Sequence, residues 1–153
     1  MIADKSLDKD QAIKALNAIM EYKLAWAVRY THYSLMVFGF NRIPLISWLK
    51  SNSTESLDHA YRAGELITLL SGHRSLKIDE LLETAKHDIS DILLESLIHE
   101  SSTLQTYYDL FKIIDGKSVL LGEYACEMIT NEEVLLDEVN KMLGQSGNLE
   151  VFK

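Results

Sequence analysis

The chain has 153 residues, of which 47% are hydrophobic and 25% are charged, a composition that suits one folded domain and excludes a disordered polymer. Its formal net charge of −8 disfavours binding to nucleic acid or to an anionic membrane surface, because both are polyanions. We therefore expect a single domain over residues 1–153 that binds neither of them.

Three features of the sequence point to the cytoplasm. Cys126 is the single cysteine, so no internal disulfide can form. The first residues, MIADKSLDKD, contain no apolar segment of the kind that directs secretion. No apolar run approaches the roughly 20 residues that a membrane-spanning helix needs. The expected location is therefore cytoplasmic.

Glycine, proline and asparagine are concentrated at a few points and divide the chain into four long segments. Pro44 lies near the start of the second segment, where its missing N–H has no helical partner to lose. Gly72 follows the end of that segment, and Gly144 follows the last one. We expect helices at about residues 8–38, 43–71, 88–114 and 118–143, and a short tail at 144–153.

Apolar residues recur within each segment at alternating steps of three and four, which is typical of a helix with one buried face. The first two and the last two segments have short connections, so each pair should be antiparallel neighbours. The connection at about residues 72–87 can cross the whole bundle and could hold a helical turn in the stretch IDELLETA. This pattern predicts an all-α antiparallel four-helix bundle with one long crossover, between the second and third helices.

A polar side chain interrupts the apolar stripe near the middle of every predicted helix. Because of the crossover, all these interruptions should lie at a similar depth in the bundle. An isolated carboxylate or ammonium is costly to bury, so these groups should pair with one another or hold a metal ion. Tyr30, in the first stripe, could sit beside them. The interrupting residues are Lys23 in the first helix, Ser56 and His59 in the second, Glu100 in the third and Glu132 in the fourth.

Several of these side chains carry groups that bind metals. Imidazole and carboxylate suit iron, manganese and zinc, and Glu55 lies one helical turn before His59. His99 should lie at the surface, because its helical position points away from that of Glu100. The sequence therefore predicts a metal site formed by His59, Glu100, Glu132 and Glu55.

At these residues the chain resembles the bacterioferritin and ferritin family, over about residues 16–143. The segment that begins at Glu55 resembles the family's second helix. Glu100 falls where the third helix supplies a bridging glutamate, and Asn131-Glu132-Glu133 resembles the fourth helix's Asp-Glu-Glu. Members of this family use one glutamate from each of two helices and Glu-x-x-His from the other two. The resemblance implies a ferritin-like bundle that oxidises and stores iron.

The chain departs from the family's pattern at three ligand positions. Lys23 and Ser56 stand where the resemblance implies glutamates, and Leu135 stands where it implies a histidine. We therefore expect a degenerate ferroxidase centre with weak or no iron oxidation of its own. In this hypothesis the Lys23 ammonium takes the metal's place and bridges the carboxylates of the third and fourth helices. A protonated His59 would donate to one carboxylate and bring the cluster close to neutrality.

The resemblance also bears on cofactors and partners. Leu57 stands where a haem-ligating methionine would be, so non-haem iron is expected and haem is not. The tail is shorter than the family's fifth helix. We expect a homo-oligomer, either a dimer or a larger shell, that could co-assemble with a catalytic ferritin subunit. Two alternatives remain open: a ferritin-like enzyme with an altered one- or two-metal site, and a metal-free structural or interaction protein.

Overall fold

The computed structural model describes residues 6–144, and this part of the chain forms four α-helices and no strand. The four predicted helices are confirmed, each within two residues of its expected bounds. Apart from Gly144, the predicted tail lies outside the described residues. The helices are α1 at Lys9–Met36, α2 at Arg42–Leu69, α3 at Ile89–Ile114 and α4 at Val119–Met142.

Side-chain caps explain where three of the four helices begin. Asp8, Asp88 and Ser118 each accept a hydrogen bond from a backbone N–H in the first turn of α1, α3 and α4, at 3.1–3.2 Å. Helix α2 begins after Asn41, whose side chain makes no capping bond. The turn after α3 contains Gly116, whose φ of 71° lies in the left-handed region that glycine adopts without strain.

The bundle core consists of two apolar clusters. Helix α1 packs along α2, α3 packs along α4, and α1 also contacts α3, so each helix turns its stripe towards the others. One cluster contains Leu16, Ile67, Tyr107 and Met128, and the other contains Tyr30, Leu49, Ile92 and Val139. In all four helices the interrupting polar residues fall between the members of these two clusters, which places them at the middle of the bundle.

The crossover between α2 and α3 contains no helical turn. The suggestion that the stretch IDELLETA could hold one is therefore wrong. Its polar backbone groups bond to α1 instead: the Asp79 N–H donates to the Glu21 carbonyl at 3.2 Å, and Arg29 donates to the Leu82 carbonyl at 2.6 Å. Ala85 has a φ of 57°, which a helix cannot accommodate. The crossover is therefore fixed along α1. In the described part of the chain, no helix combines the length and hydropathy needed to span a bilayer.

Candidate central polar site

The side chains that interrupt the four stripes meet at the centre of the bundle. Lys23, Ser56, His59, Glu100 and Glu132 are all buried and line one cavity of about 10 Å³. A cavity of this size holds roughly one water molecule. The remaining lining residues are Asn52, Glu55, Asn131 and Leu135. The structure thus brings together all four residues of the predicted metal site, together with the lysine.

A buried hydrogen bond between Lys23 and Glu132 dominates this cluster. Lys23 Nζ donates to Glu132 Oε1 at 2.8 Å, and both side chains are 3% exposed. Glu100 Oε1 accepts a hydrogen bond from the Tyr30 hydroxyl at 2.6 Å. The second oxygens, Glu100 Oε2 and Glu132 Oε2, are buried without a hydrogen-bond partner among the described residues. Lys23 therefore contacts the fourth helix directly, whereas Glu100 receives its hydrogen bond from the tyrosine.

The pKa values of the two buried carboxyl groups are shifted in opposite directions. Burial, together with the neighbouring Glu100, raises the pKa of Glu132 to about 9 despite the pull of Lys23. Burial also opposes ionisation of Glu100, but the Lys23 ammonium lowers the pKa of Glu100 to about 2. Burial disfavours the charged form of Lys23 as well, yet the two glutamates raise its pKa overall. At neutral pH one ammonium faces one carboxylate and one carboxylic acid, which leaves the cluster neutral.

His59 also lies on the cavity wall, and its imidazole is neutral. Burial, and then the positive charge of Lys23, lowers the pKa of His59 to about 4. Its Nε2 lies 3.7 Å from Glu55 Oε1, and its Nδ1 is buried without a partner among the described residues. The expectation that a protonated His59 donates to Glu100 or Glu132 is therefore wrong. Neutrality comes from a proton on the carboxyl pair instead.

His99 was expected at the surface, and this expectation is wrong. The residue is 4% exposed, and its ring stacks on Trp26 with 3.6 Å between centroids and 9° between planes. Its Nε2 lies 3.3 Å from Thr103 Oγ1 and 3.9 Å from Glu100 Oε1. Burial lowers its pKa to about 3. A second helical stripe beside the first would have revealed it: Ile92, Ser96, His99, Thr103 and Tyr107.

The chain is similar to known proteins in its family and in its fold. A family model for the ferritin-like domain matches residues 13–147. No curated protein is similar enough in sequence to be matched. Three solved structures resemble the chain at 19–20% identity, and at that level of identity the likeness concerns the fold.

One of the three is a dodecameric thioferritin, the bacterioferritin-related protein of Bacteroides fragilis, with a TM-score of 0.83 and 20% identity over 91% of this chain and 88% of that one. Another is a ferritin-like diiron-carboxylate protein of Bacillus anthracis, with a TM-score of 0.79 and 20% identity over 89% and 97% of the two chains. The third is the Rhodobacter capsulatus bacterioferritin with a metal-free dinuclear site and haem iron, with a TM-score of 0.72 and 19% identity over 88% and 84%. The likeness covers 88–91% of this chain and 84–97% of the other three, so it extends through most of the bundle.

Proposed function

The chain belongs to the ferritin-like domain family, and we propose that it is an iron-storage subunit in which a lysine–carboxyl cluster replaces the dinuclear iron centre. The observation that carries this proposal is the 2.8 Å contact between Lys23 Nζ and Glu132 Oε1 at the centre of the bundle. An ammonium held at that position repels divalent cations, and its own charge balances the carboxylate that a metal would otherwise neutralise.

The residues present do not fit two metal ions. Lys23 is protonated and offers no lone pair, and the hydrocarbon side chain of Leu135 offers no donor atom. The cavity of about 10 Å³ accommodates roughly one water molecule. We therefore expect no efficient iron oxidation at this centre by the subunit alone.

Iron enters this proposal as cargo. The net charge of −8 favours accumulation of cations at the protein surface, and a shell of such subunits would offer an acidic space for a mineral. We extend to this chain the assembled state of the Bacteroides fragilis relative, a dodecamer, and infer a homo-oligomeric shell that works in the cytoplasm. A catalytic ferritin subunit could co-assemble with it and supply the oxidation.

Iron oxidation tests the centre directly. Ferrous iron is added anaerobically, oxygen is admitted, and ferric absorbance is followed for the wild type and for the triple variant Lys23→Glu, Ser56→Glu, Leu135→His. We expect the wild type to match buffer autoxidation and the triple variant to oxidise iron faster. The matched control is Leu135→His alone, which leaves the ammonium in place and should stay inactive. Rapid oxidation by the wild type, or two irons bound there in soaked crystals, would refute the proposal.

The size of the assembly and its iron content test the storage role separately. Light scattering coupled to gel filtration should give a shell many times the 17.4 kDa of one chain, and iron loaded with an added catalytic ferritin should co-elute with it. A dimer or monomer that retains no iron would instead indicate the structural or interaction role.

A single-metal enzyme is the second candidate, and one observation favours it. His59 lines the cavity, its Nδ1 is buried without a partner among the described residues, and its Nε2 lies 3.7 Å from Glu55 Oε1. Metal analysis of the purified protein distinguishes this candidate. One equivalent of metal that disappears in His59→Ala would support it, whereas metal-free protein would exclude it. Haem is not expected, because Leu57 occupies the position that the family's methionine would take.

A further inference from the structure

Three potential metal ligands converge outside the bundle centre, where the crossover runs beside α1. His32 belongs to α1, and Glu83 and His87 belong to the crossover. One ligand nitrogen from each imidazole and one carboxylate oxygen all lie within 4.8 Å of one another. His32 Nε2 is 3.0 Å from Glu83 Oε2, and His87 Nε2 is 3.5 Å from Glu83 Oε1. Among the described residues, no other three such side chains come as close together.

Glu83 is the only polar group beside either imidazole nitrogen that the described part of the chain records. His32 Nε2 and His87 Nε2 are shielded from solvent and lack a well-directed hydrogen bond there, although each lies close to a Glu83 oxygen. Buried polar atoms in folded proteins nearly always have a partner. Two such nitrogens beside the same carboxylate therefore point to a ligand that satisfies them together.

The backbone holds these ligands in position. The Ala85 N–H donates to Glu83 Oε1 at 2.7 Å, which orients the carboxylate. The carbonyl of His87 accepts from the Phe38 N–H at 3.2 Å, just beyond α1. The rings of His32 and His87 lie 5.5 Å apart at 68°. Outer hydrogen bonds of this kind fix the direction of metal ligands, so little would have to be ordered on binding.

We propose that His32, Glu83 and His87 bind one zinc-class divalent transition-metal ion that joins the crossover to α1. Two imidazoles and one carboxylate are the donors that zinc prefers, whereas magnesium and calcium prefer oxygen ligands. Tetrahedral zinc with bonds of about 2.0–2.2 Å places its donor atoms roughly 3.4 Å apart. The three donor atoms lie within 4.8 Å of one another, so side-chain rotations would bring them to that distance. Water would fill the fourth position.

This site is independent of the proposed storage function, and its expected effect is local. The ion would tie residues 83–87 of the crossover to the end of α1. A ligand that binds only the folded state stabilises that state by mass action. Zinc should therefore slow proteolysis within the crossover without changing the helix content.

Calorimetric titration of the full-length, chelator-treated protein with zinc chloride tests the proposal. We expect one ion per chain in the wild type, and an affinity lower by at least about tenfold in Glu83→Gln and in His87→Ala, since even outer-shell changes cost roughly 10–100-fold. The matched control is His73→Ala, another crossover histidine, which uses its backbone carbonyl to accept from Asn17. This variant should titrate like the wild type.

The location of the ion is tested by diffraction at the zinc edge. An anomalous peak between His32 and His87 is expected, and circular dichroism should confirm that Glu83→Gln keeps its fold. A wild type that binds no zinc would overturn the proposal. So would a His87→Ala variant that binds zinc like the wild type, or binding that disappears in His59→Ala instead, which would place the ion at the bundle centre.

Discussion

At the scale of single residues, Lys23 controls the chemistry of the bundle centre. Its ammonium donates to Glu132 and keeps Glu100 ionised, while the raised pKa of Glu132 keeps that carboxyl group protonated and the cluster neutral. A buried ammonium balanced by a carboxylate adds little net stability compared with apolar packing, but the removal of one partner leaves an unbalanced charge in a dry interior. The cost of breaking the pair is therefore the property that an experiment can measure.

The variant Lys23→Met measures that cost. Glu132 Oε1 would lose its donor, and the Glu100 carboxylate would lose its counter-charge. We expect the free energy of unfolding at pH 7 to fall by about 3–5 kcal/mol, measured by urea titration at fixed protein concentration. Lys141→Met is the matched control, because Lys141 pairs with Asp137 on the exposed surface and should show no measurable change. Equal stabilities of both variants would contradict this account of the centre.

His99 makes the stability depend on pH. Its pKa is about 3 in the folded chain, below the ordinary value of 6.5, because burial disfavours the imidazolium; Glu100 opposes the shift, and Lys23 and Arg29 add to it. Between these two values the unfolded chain binds a proton that the folded chain does not. The contribution of His99 to stability is therefore complete above about pH 6.5 and is lost as the pH falls towards 3.

The variant His99→Gln isolates this contribution. One proton taken up on unfolding corresponds to a slope of about 1.4 kcal/mol per pH unit, and the variant should lower the slope of unfolding free energy between pH 4 and 6 by roughly that amount. Urea titrations at several pH values measure both slopes. An unchanged slope would show that His99 is not the group responsible.

The sequence predicted the residues of the central site but not their bonding. Lys23, His59, Glu100 and Glu132 were foreseen because a polar residue in an apolar stripe faces the interior whatever the details of packing. Which carboxyl group bonds to Lys23, and which one keeps its proton, depend on distances of a few ångströms between side chains from different helices. The burial of His99 depends on how α3 is rotated about its own axis relative to α1. The apolar stripe of a single helix does not predict that rotation.

At the scale of elements, glycine positions distinguish tight helix contacts from open ones. A Cβ on Gly72, just beyond α2, would lie 2.8–2.9 Å from three side-chain atoms of Ile13. A Cβ on Gly122, inside α4, would meet nothing within 4 Å. The same substitution should therefore have opposite effects at the two sites.

We expect Gly72→Ala to destabilise the fold by about 1–3 kcal/mol through overpacking, and Gly122→Ala to stabilise it by about 0.5–1 kcal/mol through better helix propensity. Urea titration measures both. In an Ile13→Ala background the cost of Gly72→Ala should shrink, since the clashing atoms are absent. A shift of the same sign in both single variants would refute this description of the α1–α2 contact.

The helices were predictable element by element, whereas the crossover was not. Capping residues such as Asp8 and Asp88 and a following glycine mark helix ends through local chemistry that the sequence displays directly. IDELLETA contains good helix formers, but its backbone bonds to α1, as the Asp79–Glu21 contact shows. Tertiary contacts overrode local propensity there, and they depend on the path of the crossover rather than on its composition.

At the scale of the whole molecule, one chain leaves large apolar side chains uncovered. Phe40 and Leu76 are fully exposed, and Ile43 and Val119 are each 79% exposed. Residues 35–43, around the turn between α1 and α2, contribute several of these side chains. Apolar surface of this extent usually marks an interface between proteins. The surface of the bundle thus favours assembly for reasons that are separate from the central cluster.

The variant Phe40→Glu tests whether this turn contributes to assembly. A charge placed in an apolar interface must lose its hydration without gaining a partner, so we expect a smaller species by light scattering, with unchanged helix content by circular dichroism. Phe40→Leu keeps an apolar side chain and should assemble like the wild type. Because the Lys23–Glu132 pair lies within one chain, Phe40→Glu should lose retained iron while keeping the pH dependence of the bundle centre. A variant of unchanged size would show that Phe40 lies outside the contacts between subunits.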